Sequence, residues 1–254
     1  MSIKAVTFDL WDTIVDDDSD EPKRAAQGLK SKYDERRHIV WQALNGQQAT
    51  QLADVKLAFD VADAAFNNVW KSHFINWTVA ERVDVILKGL GRTLPEADRQ
   101  SVIDDLGRME VDIYPDAIPG IKEALADLAG RYKLAIVSDA IVTPGTGLRD
   151  LLDAHGLKQY FTAFAFSDEV GHSKPHRSMF DAAAEQLGIA VEDMVHIGDR
   201  DHNDVKGPHA LGMKAVLFTA TRPDDKDITT ADAICERHAD LPGIIDGLNA
   251  GAGT

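Results

Sequence analysis

The chain has 254 residues, 44% of them hydrophobic and 27% charged, which is ordinary globular composition with room for one large domain or a core plus an insertion. Its formal net charge of −15 repels nucleic acid and anionic membrane surfaces, so neither is an expected partner, and any anion site must rest on local dipoles and a few placed cations. The single cysteine, Cys235, excludes an intramolecular disulfide and reads as a buried, inert thiol; with no apolar run near the roughly 18 residues of a membrane span and no signal peptide ahead of the first strand, the expected location is cytoplasmic.

The first element is an apolar strand, Lys4–Phe8, and it delivers a carboxylate, Asp9, where the apolar run stops. Thr13 follows four residues later. The segment Asp16–Pro22 is acidic and breaker-rich, a solvated hinge rather than a metal site, and Pro22 can start a helix. Leu52, Val55, Phe59, Ala62, Phe66 and Val69 form one apolar face of a long helix. Thr78–Glu81 is a capping-box pattern opening a helix that Gly89 and Gly91 end, and Pro95 opens another through Val102, Leu106 and Met109. No strand is expected between Pro22 and about Asp112, so this stretch reads as a bundle-like helical block.

Tyr114-Pro115 marks a change of pattern, and Pro119-Gly120 leads a helix with Ile121, Leu125 and Leu128 on one face. Strands are then predicted at Leu134–Val137, Ala163–Phe166, Met194–Ile197, Ala215–Phe218 and Ala231–Cys235. Helices are predicted around Thr146–Leu152, Ser178–Leu187, Asp204–Leu211 and Leu241–Leu248. Short apolar strands separated by helices imply a parallel sheet covered on both faces. The first strand must join it, which makes the helical block an insertion. The expected fold is α/β, a Rossmann-like core of residues 1–15 and 113–254 with an all-helical insertion over 16–112. The terminal Gly-Ala-Gly-Thr is expected to fray.

A parallel sheet brings its carboxyl ends to one edge. Asp9 with Thr13, Ser138, Lys174, and Asp199 with Asp204 can therefore converge. A nucleophilic carboxylate, hydroxyls, an ammonium and an acidic pair holding a hard cation are what phosphoryl transfer through an aspartyl-phosphate requires.

In order, Phe-Asp9-Leu-Trp-Asp-Thr13, then Ile-Val-Ser138-Asp-Ala, Lys174-Pro, and Gly-Asp199-Arg-Asp-His-Asn-Asp204 resemble the four motifs of the haloacid dehalogenase-like hydrolase superfamily. The resemblance spans the whole chain, and the block after motif one is similar to the helical cap of one subfamily. It implies Asp9 as nucleophile, with Thr13 and Ser138 orienting it and donating to phosphoryl oxygens. Lys174 would neutralise shared charge. Mg²⁺ would be held by Asp9, the backbone carbonyl of Trp11, Asp199 and Asp204, the last directly or through water. Backbone N–H groups near Leu10, Trp11 and Asp139 would line the anion pocket. The expected partner is a small phosphorylated substrate, and the chain is expected as a monomer or homodimer.

One position departs from the family pattern. Phosphatases of this family usually carry a second Asp two residues after the nucleophile, as general acid and base; here that position is Trp11. Asp12 is adjacent, where the family often has glycine, but a one-residue shift turns its side chain elsewhere. The leading reading is a Mg²⁺-dependent phosphatase of a small phosphate ester or anhydride. A hydrolytic 2-haloacid dehalogenase is an alternative, because those enzymes have an aromatic at this offset; they also use an arginine early in the cap to receive halide. Arg36 and Arg37 fall in that neighbourhood, although Asp34–Arg37 reads as a solvated helix face. A weakened member that binds a ligand or protein is a further alternative. His172, His176 and His202 lie beside the motifs, with His202 the best placed to replace the acid/base group. Trp41, Trp70 and Trp77 are expected to pack in the helical block.

Overall fold

A computed structural model describes residues 2–250 of the chain; the expected fraying of Gly251–Thr254 lies outside them. The described residues form two compact units. The first comprises residues 2–17, 116–139 and 152–250, the second residues 18–115 and 140–151.

The first unit is built on a six-stranded parallel sheet. Its strands are β1 (Ala5–Phe8), β2 (Lys133–Ser138), β3 (Ala163–Phe166), β4 (Met194–Gly198), β5 (Lys214–Phe218) and β6 (Ala233–Cys235), in the order β3-β2-β1-β4-β5-β6. Every residue of β1 is buried, as expected of a strand covered on both faces. Phe8 is in register with Ile136 of β2 and Ile197 of β4. From β1 the chain builds outward on one side through β2 and β3, then returns to build β4, β5 and β6 on the other. The crevice at that reversal, beyond the ends of β1 and β4, is where open α/β sheets bind ligands.

Helices flank this sheet. The face of one, Arg177–Leu187, shows why: Met179, Phe180, Ala183, Ala184 and Leu187 recur at helical spacing and bury against Ala135, Val137, Ala163 and Ala165 of the strands. The predicted helix Asp204–Leu211 is different. Residues Asp201–Lys206 form a π turn, and only Gly207–Ala210 is α-helical. Periodicity does not reveal a π turn, because a single turn is too short to display a period.

The second unit contains α1 (Glu21–Ala26), α2 (Lys32–Gln47), α3 (Leu52–His73), α4 (Val79–Gly89) and α5 (Glu96–Asp112). Val55, Phe59, Ala62 and Phe66 make the buried stripe of α3. Val55, Phe59 and Ala62 meet Val40 and Leu44 of α2, Val83 and Ile86 of α4, and Val102 and Leu106 of α5. The capping box forms: Thr78 Oγ1 accepts from the Glu81 N–H at 3.3 Å, and Glu81 Oε2 accepts from the Thr78 N–H at 2.8 Å. Trp41, Trp70 and Trp77 are half-buried; Trp70 and Trp77 lie against Phe66, and Trp41 Nε1 donates to the Thr50 carbonyl at 2.9 Å.

Two expectations are corrected here. The acidic segment is not wholly a solvated hinge: Asp20 is fully buried and pairs with the buried Lys32 at 2.8 Å. Nor is Asp34–Arg37 a solvated face. Arg37 is buried, its guanidinium 3.4 Å from the centre of the Tyr33 ring and paired with Asp60 at 2.7 Å. Composition marks a residue as charged, but the partner that makes burial affordable is supplied by another helix.

Among the described residues, no helix is long and apolar enough to cross a membrane.

Candidate active site

Within the first unit, strand ends carry Asp9 after β1, Ser138 at the end of β2, and Asp199 after β4. Lys174 arrives on the loop before Arg177–Leu187, and Asp204 on the π turn. The structure brings Asp9, Asp199 and Asp204 together: one carboxylate oxygen of each lies within 4.8 Å of the others. Lys174 Nζ is 2.8 Å from Asp9 Oδ1 and 2.6 Å from Asp204 Oδ1. All four side chains are buried.

Two glycines permit this closeness. A Cβ on Gly198 would lie 2.5 Å from Asp204 Oδ2, and one on Gly207 would lie 2.6 Å from Pro175 Cβ. The first lets the Asp204 carboxylate come in under β4; the second lets the end of the π turn press against the segment that carries Lys174.

Electrostatics follow from the crowding. Burial works against the Lys174 ammonium, yet Asp204, Asp9 and Asp139 hold it well above the ordinary lysine range, so it stays charged. Burial would raise Asp204, but Lys174 and His196 hold it far below the usual carboxylate range. Asp199 goes the other way: burial, then Asp204 and Asp9, push it up to about 8. Asp139, whose Oδ1 accepts the Lys174 backbone N–H at 2.9 Å, is pushed up to about 7 by burial against the opposing pull of Lys174.

Three buried polar atoms here have no hydrogen-bond partner among the described residues: Thr13 Oγ1, Ser138 Oγ and Asp199 Oδ2. Such atoms cost roughly 1–3 kcal/mol each unless something fills the need. Leu10 is fully buried; its carbonyl accepts the N–H groups of Ile14 and Val15 at 2.8 and 3.1 Å. Trp11 is half-buried and bridges to Val15. Asp12 sits at φ 55°, in the left-handed region that glycine favours and Asp tolerates, and its Oδ1 accepts the Asp17 N–H at 3.3 Å. That is the altered direction expected of it. His202 is exposed on the π turn, and the rings of His172 and His176 stack at 3.9 Å.

The sequence reading missed a buried relay behind the acids. His196 Nε2 lies 3.1 Å from Asp204 Oδ1, and its Nδ1 is 2.8 Å from Thr7 Oγ1. Burial lowers the imidazole's proton affinity, so the ring is neutral. Nε2–H then donates to Asp204, and the Thr7 hydroxyl donates to Nδ1, which fixes the tautomer. A signal existed: Thr7 and His196 are polar residues in apolar strands, in register with each other. Arg222 was also missed; its Nη1 donates to the Asp199 carbonyl at 3.3 Å and stands 3.6 Å from Asp199 Oδ2. So was His238, whose Nε2 donates to the Thr13 carbonyl at 2.7 Å.

The family model for haloacid dehalogenase-like hydrolases matches residues 3–212. The chain belongs to this family. The haloacid dehalogenase-like fold extends well beyond the matched motifs. The glyceraldehyde 3-phosphate phosphatase of Methanopyrus kandleri is 24% identical over 245 residues, 94% of this chain and 94% of that protein. The crystal structure of a HAD phosphatase from Thermococcus onnurineus superposes with a TM-score of 0.64 at 22% identity, covering 96% of this chain and 99% of that one. A 2-haloacid dehalogenase from Pseudomonas syringae superposes at 0.57 with 18% identity, covering 97% and 99%. This haloacid dehalogenase-like chain is a hydrolase with the fold of both branches, and fold does not choose between their chemistries.

Proposed function

We propose that the chain is a Mg²⁺-dependent phosphatase of a small phosphate ester or anhydride, acting through an aspartyl-phosphate on Asp9. The observation that carries this reading is the Asp9–Asp199–Asp204 cluster around Lys174. Three carboxylates sharing one buried ammonium are short of positive charge, and Asp199, with a bare Oδ2 and a raised proton affinity, fits a ligand for a hard cation. Asp9, the Trp11 carbonyl and Asp199 would hold Mg²⁺. Asp204 already accepts from Lys174, His196 and the Arg200 N–H, so it would act through water. When bound, the ion supplies charge neutralisation that lets a phosphoryl group approach the acids.

An Asp9 carboxylate oxygen attacks phosphorus, the P–O bond to the leaving group breaks, and water then cleaves the aspartyl-phosphate to release phosphate. Lys174 balances charge as it moves from Asp9 to the phosphoryl oxygens. The unpartnered hydroxyls of Thr13 and Ser138 are donors for those oxygens. The helical unit is read as a cap that excludes water. With Trp11 at the usual acid/base position, substrates whose leaving groups need no proton, acyl and aryl phosphates, react best. The glyceraldehyde 3-phosphate phosphatase relative supports a small phosphorylated substrate.

The test is turnover of an aryl phosphate. Activity should stop on chelation of Mg²⁺, and Asp9→Asn should lower kcat on the order of 10⁴-fold or more, as loss of a nucleophile does. Trp11 favours a second reading, hydrolytic dehalogenation; halide release from a 2-haloacid, indifferent to chelator and with no phosphate turnover, would replace the first reading with it.

A further inference from the structure

Thr13 is fully buried, and its Oγ1 has no hydrogen-bond partner among the described residues. A β-branched side chain is stiff about χ1, so the direction of that hydroxyl is inherited from the backbone that carries it. The backbone is held closely. The carbonyls of Asp12, Thr13 and Ile14 accept, in turn, from the Thr221 hydroxyl, from His238 Nε2 at 2.7 Å and from the Ile118 N–H at 2.9 Å. Three successive peptide groups are thus tied to three other parts of the sheet unit. Thr221 and His238 both lie beyond residue 212, where the match to the family model ends.

His238 is polar in an apolar place. It sits just after β6, fully buried and stacked on Phe218 of β5, with ring centres 4.2 Å apart and planes inclined by 12°. An apolar side chain of similar size would fill that space. The imidazole instead leaves Nδ1 buried with no partner among the described residues, which costs stability. Burial keeps the ring neutral at neutral pH. It therefore has one N–H, and a carbonyl facing Nε2 places the proton on that nitrogen. What offsets the bare Nδ1 is the bond to Thr13. Stacking on Phe218 stops the ring from swinging away, so the Thr13 carbonyl has a fixed donor.

We propose that His238 is a positioning residue: by holding the Thr13 carbonyl it aims the Thr13 hydroxyl at the phosphoryl oxygens. The proposal rests on the reading of Thr13 as a phosphoryl donor given above. His238 acts on the transferred group only through Thr13.

The test measures kcat/KM for an aryl phosphate and, by calorimetry, the Kd for inorganic phosphate, both with Mg²⁺ present. His238→Leu should worsen each about tenfold or more, the cost of a slightly misplaced group. His238→Gln, which can still donate to the carbonyl, should recover most of the loss. In Thr13→Val the same His238→Leu change should cost less than about twofold, because residues that act as one unit are not additive; a purely structural role would cost the same in both backgrounds. Melting curves identify a variant that does not fold, and His238→Met then replaces His238→Leu. A parent with no turnover overturns the phosphatase reading and this proposal with it. With an active parent, the proposal alone is overturned if folded His238→Leu matches the parent in either quantity, if His238→Gln is no better than His238→Leu, or if the loss is undiminished in Thr13→Val.

Discussion

The two buried charge clusters are balanced differently. In the sheet unit, Asp9, Asp199 and Asp204 share one buried cation, Lys174, while Arg200 and Arg222 reach Asp199 only at 3.6 Å from partly exposed positions. In the helical unit, Arg36, Arg37 and Arg82 border a cavity whose lining supplies one acid, Asp63. Glu110 and Asp60, however, also pair with Arg36 and Arg37, so only the sheet cluster is short of opposite charge. An excess of buried acid calls for a cation, because uncompensated buried charge costs several kcal/mol. The clusters also differ in solvation. Lys174 is 2% exposed at its side chain, whereas the Asp63 side chain is 33% exposed, so the sheet cluster depends more heavily on its single counter-ion.

Removing a counter-ion from each cluster is the direct way to break the comparison. Lys174→Met should destabilise the chain by about 3–5 kcal/mol in urea unfolding at neutral pH, and Mg²⁺ should restore part of the loss; a variant as stable as the parent without added cation would mean the acids are not held charged by Lys174.

The next effect in size comes from a buried base with no counter-ion. His238 is fully buried, stacked on Phe218 at 4.2 Å, and burial pushes its pKa down to about 4. Above the ordinary histidine value of 6.5 both folded and unfolded chains are neutral there, so nothing is lost. As pH falls from 6.5 towards 4 the unfolded chain takes up a proton that the folded chain refuses. Stability should drop by up to roughly 3 kcal/mol across that window, and His238→Gln should remove this component of the slope in urea melts at pH 7 and pH 4.5.

The sheet cluster can be sharpened from behind. His196→Leu removes the N–H that orients Asp204, and calorimetric titration should show Mg²⁺ binding weakened about 10–100-fold, the usual effect of losing such a supporting contact. His196→Gln, which can still donate, should recover most of it; equal affinity in all three proteins would reduce His196 to a core residue.

The smallest change is expected in the helical cluster. Asp63→Asn should cost about 1–2 kcal/mol in urea melts, less than Lys174→Met, because Arg37 keeps Asp60 and the pair is partly hydrated. Mg²⁺ should not offset it. If both variants cost the same, the difference in solvation between the clusters does not matter.

The sequence by itself determined the parallel sheet, because short strands buried on both faces leave nearly continuous apolar runs, as in Ala5–Phe8 and Met194–Gly198. It also determined which carboxylates end those strands, since an acid directly after an apolar run has nowhere to lie but the sheet edge. The long helices and the cap at Thr78 were legible for the same reason: their signals are local and periodic. Tertiary structure alone decided the rest. Whether Arg37 and Asp20 are solvated or buried depends on Asp60 and Lys32, which lie 23 and 12 residues away. The π turn carrying Asp204 depends on Gly198 and Gly207 meeting Asp204 and Pro175. Charge identity is written in each residue, but the cost of burying it is set by partners that only folding brings within reach.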